Sequence, residues 1–291
     1  LGDLFEASPR LKYKIMNNNF LVNLPKFSRT KSDADLANHT IYPADTFIFD
    51  DNQLTNLLSA NTLEMCKLMP ELRTFSARRN MLVDVTGLCL SIQQLILGSN
   101  YIGEYETPNL NALKNMTRLH RFELPGNGIS ILPPDLTTLM PHLRDVIMAD
   151  NRIRHVPLRL FQHNPRLSSI YFSGSLLTTI DMNVIMYSDQ FFRIYLQGNL
   201  IERFTKNLTD RLDELVHRKS TLWMVDILGN PLECSCDTKA FQAWVRNSTI
   251  IANVKNLTCG GEVDHRIGHT VILLSFTASG SLLSLLSHLL S

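Results

Sequence analysis

A curved solenoid of stacked coils, an α/β architecture with a parallel inner β-sheet and a disulfide cap at its C-terminal end, is predicted by three observations. The first is a repeat. Leu119-x-x-Phe122-x-Leu124-x-x-Asn127-x-Ile129 returns as Leu143-x-x-Val146-x-Met148-x-x-Asn151-x-Ile153, as Leu167-x-x-Ile170-x-Phe172-x-x-Ser175-x-Leu177 and as Phe191-x-x-Ile194-x-Leu196-x-x-Asn199-x-Ile201, a step of 24 residues from 127 to 151, 175 and 199. The second is that apolar and polar residues alternate just before each Asn position, the period of a strand. The third is the run Asn230-Pro231-x-x-Cys234-x-Cys236 with Phe241, Trp244 and Cys259, which follows the last unit and breaks its pattern.

The period and its form define a leucine-rich repeat. The alternating residues make a short strand whose inward side chains stack on those of the next coil. The Asn turns the chain and satisfies backbone groups inside the bend, where water does not reach. One coil cannot bury its own apolar face, so coils pile into a horseshoe and function is expected on a surface.

Taken in order, the chain opens inside a unit. Leu4-Phe5-x-x-Ser8-Pro9-x-Leu11 matches Leu160-Phe161-x-x-Asn164-Pro165-x-Leu167, so the first element reads as the convex half of a coil and the chain as an N-terminally truncated fragment. The first strand, within Leu11 to Leu21, carries Lys14 where an apolar residue belongs. Phe47, Phe49 and Asn52 mark the second, Phe75, Ala77 and Asn80 the third, and Leu95, Leu97 and Asn100 the fourth. The four regular units follow, and Val225, Ile227 and Asn230 mark the ninth. Successive Asn-type positions are 33, 28, 20, 27, 24, 24, 24 and 31 residues apart, so length variation is expected to bulge on the convex side, most of all around Ser28 to Ala44. The chain divides into a repeat array over 1–229, a cysteine-rich cap over 230–269 and an apolar, Ser-rich tail over 270–291.

With 291 residues, 44% apolar and a formal charge of +1, the chain is neither disordered nor, by charge, a nucleic-acid binder. No Gly-rich phosphate loop, His-Glu-x-x-His helix or nucleophile elbow is present, so no catalysis and no cofactor are expected. Cys-x-Cys leaves too small a gap for tetrahedral ligation and no second ligand pair follows, and His265 and His269 lack a companion acid, so no metal is expected.

Cys234-Ser235-Cys236-Asp237 through Phe241-x-x-Trp244-Val245-Arg246, with Ile250 and Asn256-Leu257-Thr258-Cys259, resembles the juxtamembrane cap of the Toll and Toll-like receptors. The resemblance implies an extracellular ectodomain on a single-pass membrane protein with a cytoplasmic TIR signalling domain. It implies a homo- or heterodimer, and as partner a cystine-knot cytokine of the Spätzle type or a microbial product. It also implies a bridge between Cys234 and Cys259. That family's cap has four cysteines in two crossed bridges, and no cysteine follows Cys259 here. Cys236 is left over, with a partner lost to truncation, an intermolecular bridge or a faulty reading frame past Arg266 as the explanations. A secreted or membrane-anchored adhesion or matrix protein without a signalling domain is the alternative.

Cys66 and Cys89 are 23 residues apart, about one coil, so they sit on the convex side of adjacent coils. A bridge and a pair of small buried hydrophobes are both open. Asn-x-Ser/Thr acceptors occur at Asn38, Asn115, Asn207, Asn247 and Asn256, none within a predicted strand. The tail's apolar runs are broken by Ser, Thr and Gly; the start of a membrane segment, a lipid-anchor signal and out-of-frame sequence are its three readings.

The outward side chains of the strands line the concave face, with Ile15, Ile48, Ser76, Ile96, Glu123, Ile147, Tyr171, Tyr195 and Asp226 at its centre and Arg144, Phe192, Arg193 and Trp223 beside them. Aromatic residues next to arginine are anchors of protein interfaces, so Tyr171, Arg193, Tyr195 and Trp223 form the candidate ligand site. Arg73, Arg78 and Arg79 are expected to pair with Asp45, Asp50 and Asp51 of the preceding coil.

Overall fold

The computed structural model describes residues 13–24, 44–57, 66–67, 69–104, 110–191, 193–217 and 224–260. One parallel sheet of nine strands runs through them in chain order: β1 (Tyr13–Ile15), β2 (Thr46–Ile48), β3 (Thr74–Ser76), β4 (Gln94–Ile96), β5 (Arg121–Glu123), β6 (Asp145–Ile147), β7 (Ser169–Tyr171), β8 (Arg193–Tyr195) and β9 (Met224–Asp226). Each strand is three residues long, with its middle side chain buried. The register puts Phe122 beside Val146, Ile170 and Ile194, so the returning apolar positions form one stacked row. Lys14 falls in this row beside Phe47 and is buried; burial lowers its ammonium pKa, because a charge loses hydration there.

Behind the sheet, each coil turns on its Asn. Asn151 Nδ2 donates to Met148 O and Ala149 O of its own coil and to Leu124 O of the coil before, while its Oδ1 accepts from Asn127 N and Ile129 N. Asn52, Asn80, Asn100, Asn127, Asn199 and Asn230 repeat this bonding, so the turns are stitched along the solenoid axis out of reach of water. The residue just before each of these asparagines, and before Ser175 in the same place of its coil, lies in the left-handed region: Asp51, Arg79, Ser99, Gly126, Asp150, Gly174, Gly198 and Gly229 all have positive φ.

The convex side is irregular. Among the described residues it holds a 3₁₀ turn at Leu110–Asn115, a short helix α1 (Met182–Ile185) and a longer helix, α2 (Lys206–His217), which lies in the 31-residue step between Asn199 and Asn230. Helix α2 buries Leu208, Leu212 and Leu215 at helical spacing. Its Arg211 is also buried, with its guanidinium held by Asp189 at 2.8 Å, Glu214 at 3.0 Å and the carbonyls of Met186 and Ser188.

Helix α3 (Lys239–Asn247) closes the last coil. Phe241 and Trp244 pack against Phe204, and Trp244 Nε1 donates to Asp213 of α2 at 2.9 Å. Beyond it the chain returns to pair with the exposed edge of β9, through Val225 N to Ile250 O at 2.8 Å and Ala252 N to Val225 O at 2.9 Å. The sheet edge that would otherwise template pairing with another chain is thereby covered.

Candidate functional site

The concave face carries two chemically distinct zones. From β2 to β6 it is a chain of charge. Asp50 Oδ1 accepts from Ser76 Oγ at 2.6 Å and from Arg78 N at 2.8 Å; Arg78 Nη2 reaches Glu123 Oε2 at 2.7 Å; Arg121 Nε donates to Glu123 Oε1 at 2.7 Å, and its Nη1 lies 3.6 Å from Asp145 Oδ2. Burial works against the Arg121 charge, but Glu123 and Asp145 outweigh it and raise its pKa. Of the arginines expected to pair with the preceding coil, Arg79 does so, with Asp51 at 2.7 Å. Arg78 instead sends its guanidinium across β4 to Glu123, and Arg73 lies 3.5 Å from Glu71 rather than on Asp45.

From β6 to β9 the face is aromatic and amphipathic. The rings of Tyr171 and Tyr195 stack with centroids 4.4 Å apart and planes 15° from parallel, as their pairing in adjacent strands requires. Ile147 precedes them in the same row and Asp226 follows, with Gln197 Nε2 donating to Asp226 Oδ2 at 2.8 Å. Tyr171, Arg193 and Tyr195 are each half-buried. Burial, then the neighbouring Tyr171, raises the Tyr195 hydroxyl pKa, so it is a neutral donor and acceptor at physiological pH. Trp223 and Phe192, the further members of the group read from sequence, lie outside the described residues.

Two disulfides are present. Cys66 and Cys89 join neighbouring convex segments with Cα atoms 5.2 Å apart, and Cys234 joins Cys259 across the cap with Cα atoms 5.6 Å apart. Of the readings open for Cys66 and Cys89, the structure has the bridge. Cys236 is an exposed free thiol. Such bridges belong to an oxidising compartment. Asn115, Asn207, Asn247 and Asn256 are exposed, on the convex side or the cap, while Asn38 and the tail lie outside the described residues. Among the described residues no group of three or more His, Cys, Asp or Glu is placed to hold a metal, and no helix is long and apolar enough to cross a membrane.

Comparison with known proteins agrees with this geometry. The leucine rich repeat family matches residues 141–201, a repeat family and not a catalytic one. No curated protein matches the chain in sequence. Among solved structures, human 5T4 (Wnt-activated inhibitory factor 1, trophoblast glycoprotein) superposes with a TM-score of 0.59 at 18% identity, covering 92% of this chain and 86% of that one. A leucine-rich repeat protein of Leptospira interrogans gives 0.55 at 18% identity over 71% of this chain and 48% of its own. The nine-stranded parallel sheet, the Asn-stitched turns and these likenesses lead to one conclusion: the chain is a leucine-rich repeat protein, a solenoid with a disulfide-tied C-terminal cap.

Proposed function

We propose that the chain is the extracellular ligand-binding part of a signalling receptor of the Toll type, and that Tyr171, Tyr195 and Arg193 on the concave face, together with Trp223, anchor a protein partner. The stacked, half-exposed tyrosine pair carries this reading. Two rings already fixed against each other lose little side-chain entropy on binding, and an arginine at their edge adds a directional donor. Both disulfides support an extracellular site, where Asn115, Asn207, Asn247 and Asn256 would carry glycans away from the concave sheet and Asn38 would be a further acceptor. The Cys234-x-Cys236 cap with Phe241 and Trp244 supports the receptor class. In that reading the solenoid stands outside the plasma membrane on a single-pass protein. Its partner is a cystine-knot cytokine of the Spätzle type or a microbial product, and binding draws two caps together in a homo- or heterodimer.

A second reading, a secreted or anchored adhesion or matrix protein without a signalling domain, is supported by the likeness in fold to 5T4, a trophoblast glycoprotein.

The test is a fusion of the chain to a membrane span and a TIR-type reporter, challenged with cystine-knot cytokines and microbial extracts. Ligand-dependent output that drops at least tenfold in a Tyr171→Ala/Tyr195→Ala variant of unchanged surface level supports the receptor reading. Cell adhesion without reporter output supports the second. Output indifferent to both tyrosines removes the concave site.

A further inference from the structure

The turns that lead into β5, β6 and β7 gather positive charge that the concave site does not use. The register places Arg118, His142 and Arg166, each three residues ahead of its strand, in one row, and His120 and Arg144 in the next. Hydrogen bonds from Arg144 N to His120 O and from Ser168 N to Arg144 O, both 2.7 Å, carry the strand ladder into this rim, so successive coils there keep the roughly 4.8 Å spacing of paired strands. The His120 and His142 rings stack at 5.7 Å, 20° from parallel, and Arg166 Nη1 lies 3.3 Å from His142 Nδ1. Arg118, His142, Arg144 and Arg166 are exposed. Among the described residues, none of Arg118, Arg144 and Arg166 is in an ion pair, in contrast to Arg78, Arg79 and Arg121 on the concave face. Burial, then Arg144 and His142, lowers the pKa of His120, a sign that the rim's cations already repel one another.

We propose that this rim binds a linear sulfated polysaccharide. Cations set in rows along the solenoid axis, without carboxylate partners, suit a ligand that presents anions in series. Guanidinium forks take sulfate oxygens in pairs, and each anion bound relieves the repulsion within the cluster. Among the described residues the two rows themselves hold no apolar side chain, and Leu139 is exposed in the turn before His142. Rows of cations without an apolar centre are unlike a protein interface, and the formal charge of +1 for the whole chain is not that of a nucleic-acid binder. The disulfides place the domain in the oxidising compartment where sulfated glycans are displayed. The rim is separate from the tyrosine pair, so its occupancy does not depend on the concave reading.

The experiment uses the full chain secreted from cultured cells and heparin as probe, with affinity measured by calorimetry across a salt series. Expected are binding at physiological ionic strength, affinity about tenfold lower in R144Q/R166Q with a shallower salt dependence, and partial retention in R144K/R166K. R246Q/K255Q, the same change of charge placed in the cap, should bind as the parent does. Thermal melts accompany each protein; if R144Q/R166Q melts early, the comparison passes to R144K/R166K against the cap variant. No heparin binding at physiological salt overturns the proposal, as does equal loss in the rim and cap variants. Duplex DNA or an acidic peptide bound as tightly as heparin overturns it too, since the surface would then be a general polyanion or protein contact.

Discussion

Ser175 is the residue at which the repeat departs from its own rule. It stands where the neighbouring coils have Asn151 and Asn199, and its Oγ is buried with no hydrogen-bond partner among the described residues. A serine is too short to reach the acceptors its neighbours bridge. An asparagine there would place its amide between Phe172 O and Met148 O and its oxygen toward Ile153 N, as Asn199 does with Leu196 O, Phe172 O and Leu177 N. Ser175→Asn is therefore expected to stabilise the protein by about 1 kcal/mol, measured by denaturant unfolding; a lower midpoint would mean that the turn is already full. One position earlier the constraint is conformational. Gly198 has φ +60°, and a Cβ there would meet nothing closer than Gly174 N at 3.7 Å, so space is ample and only the left-handed backbone resists. Gly198→Ala should cost about 1 kcal/mol in the same measurement. The Asn positions are legible in the sequence because one residue type recurs. The left-handed position is not, since Asp51, Arg79, Ser99, Asp150 and the glycines that fill it share no composition.

At the scale of elements, the strands and the cap were readable and the convex side was not. All but one of the strands have an apolar middle residue and all but one of the turns behind β2 to β9 carry an Asn, the exceptions being Lys14 in β1 and Ser175, so the nine strands and their register follow from spacing. Helix α2 occupies a step whose length the sheet does not constrain, so nothing in the repeat announces it. The tyrosine pair could be anticipated because Tyr171 and Tyr195 are one period apart. The reach of Arg78 over β4 to Glu123 could not, because it passes over the neighbouring coil. The cap owes its closure to Cys234–Cys259 as well as to the packing of Phe241 on Phe204. The bridge spans 25 residues, and releasing a loop of that length is expected to cost about 3 kcal/mol. In Cys234→Ala/Cys259→Ala, hydrogen exchange should therefore quicken in β9 and in the segment around Ile251 that pairs with it, while β2 to β6 keep their protection. Even loss of protection along the whole sheet would mean that the cap supports the solenoid globally and not at its end.

The molecule as a whole is close to one-dimensional: each strand pairs only with the ones before and after it, and the stacked apolar row is its continuous core. Stability in such an array is a sum of coil terms and nearest-neighbour interfaces. A void cut into the row is then felt by two interfaces and fades beyond them. Ile170 is fully buried between Val146 and Ile194. Ile170→Ala should cost about 2–4 kcal/mol, the usual range for such a truncation in a packed core. Its effect on exchange should be greatest in β6, β7 and β8, immediately under the tyrosine pair, and small in β2 and β3. The same variant should weaken a partner held by Tyr171 and Tyr195 more than a polysaccharide held at the rim, because the tyrosines lie on β7 and β8 themselves whereas Arg118 and Arg144 precede β5 and β6 and are tied there through the backbone of His120 and Arg144. If exchange instead rose uniformly from β1 to β9, the coils would be folding as one cooperative block, and neither site could be perturbed apart from the other.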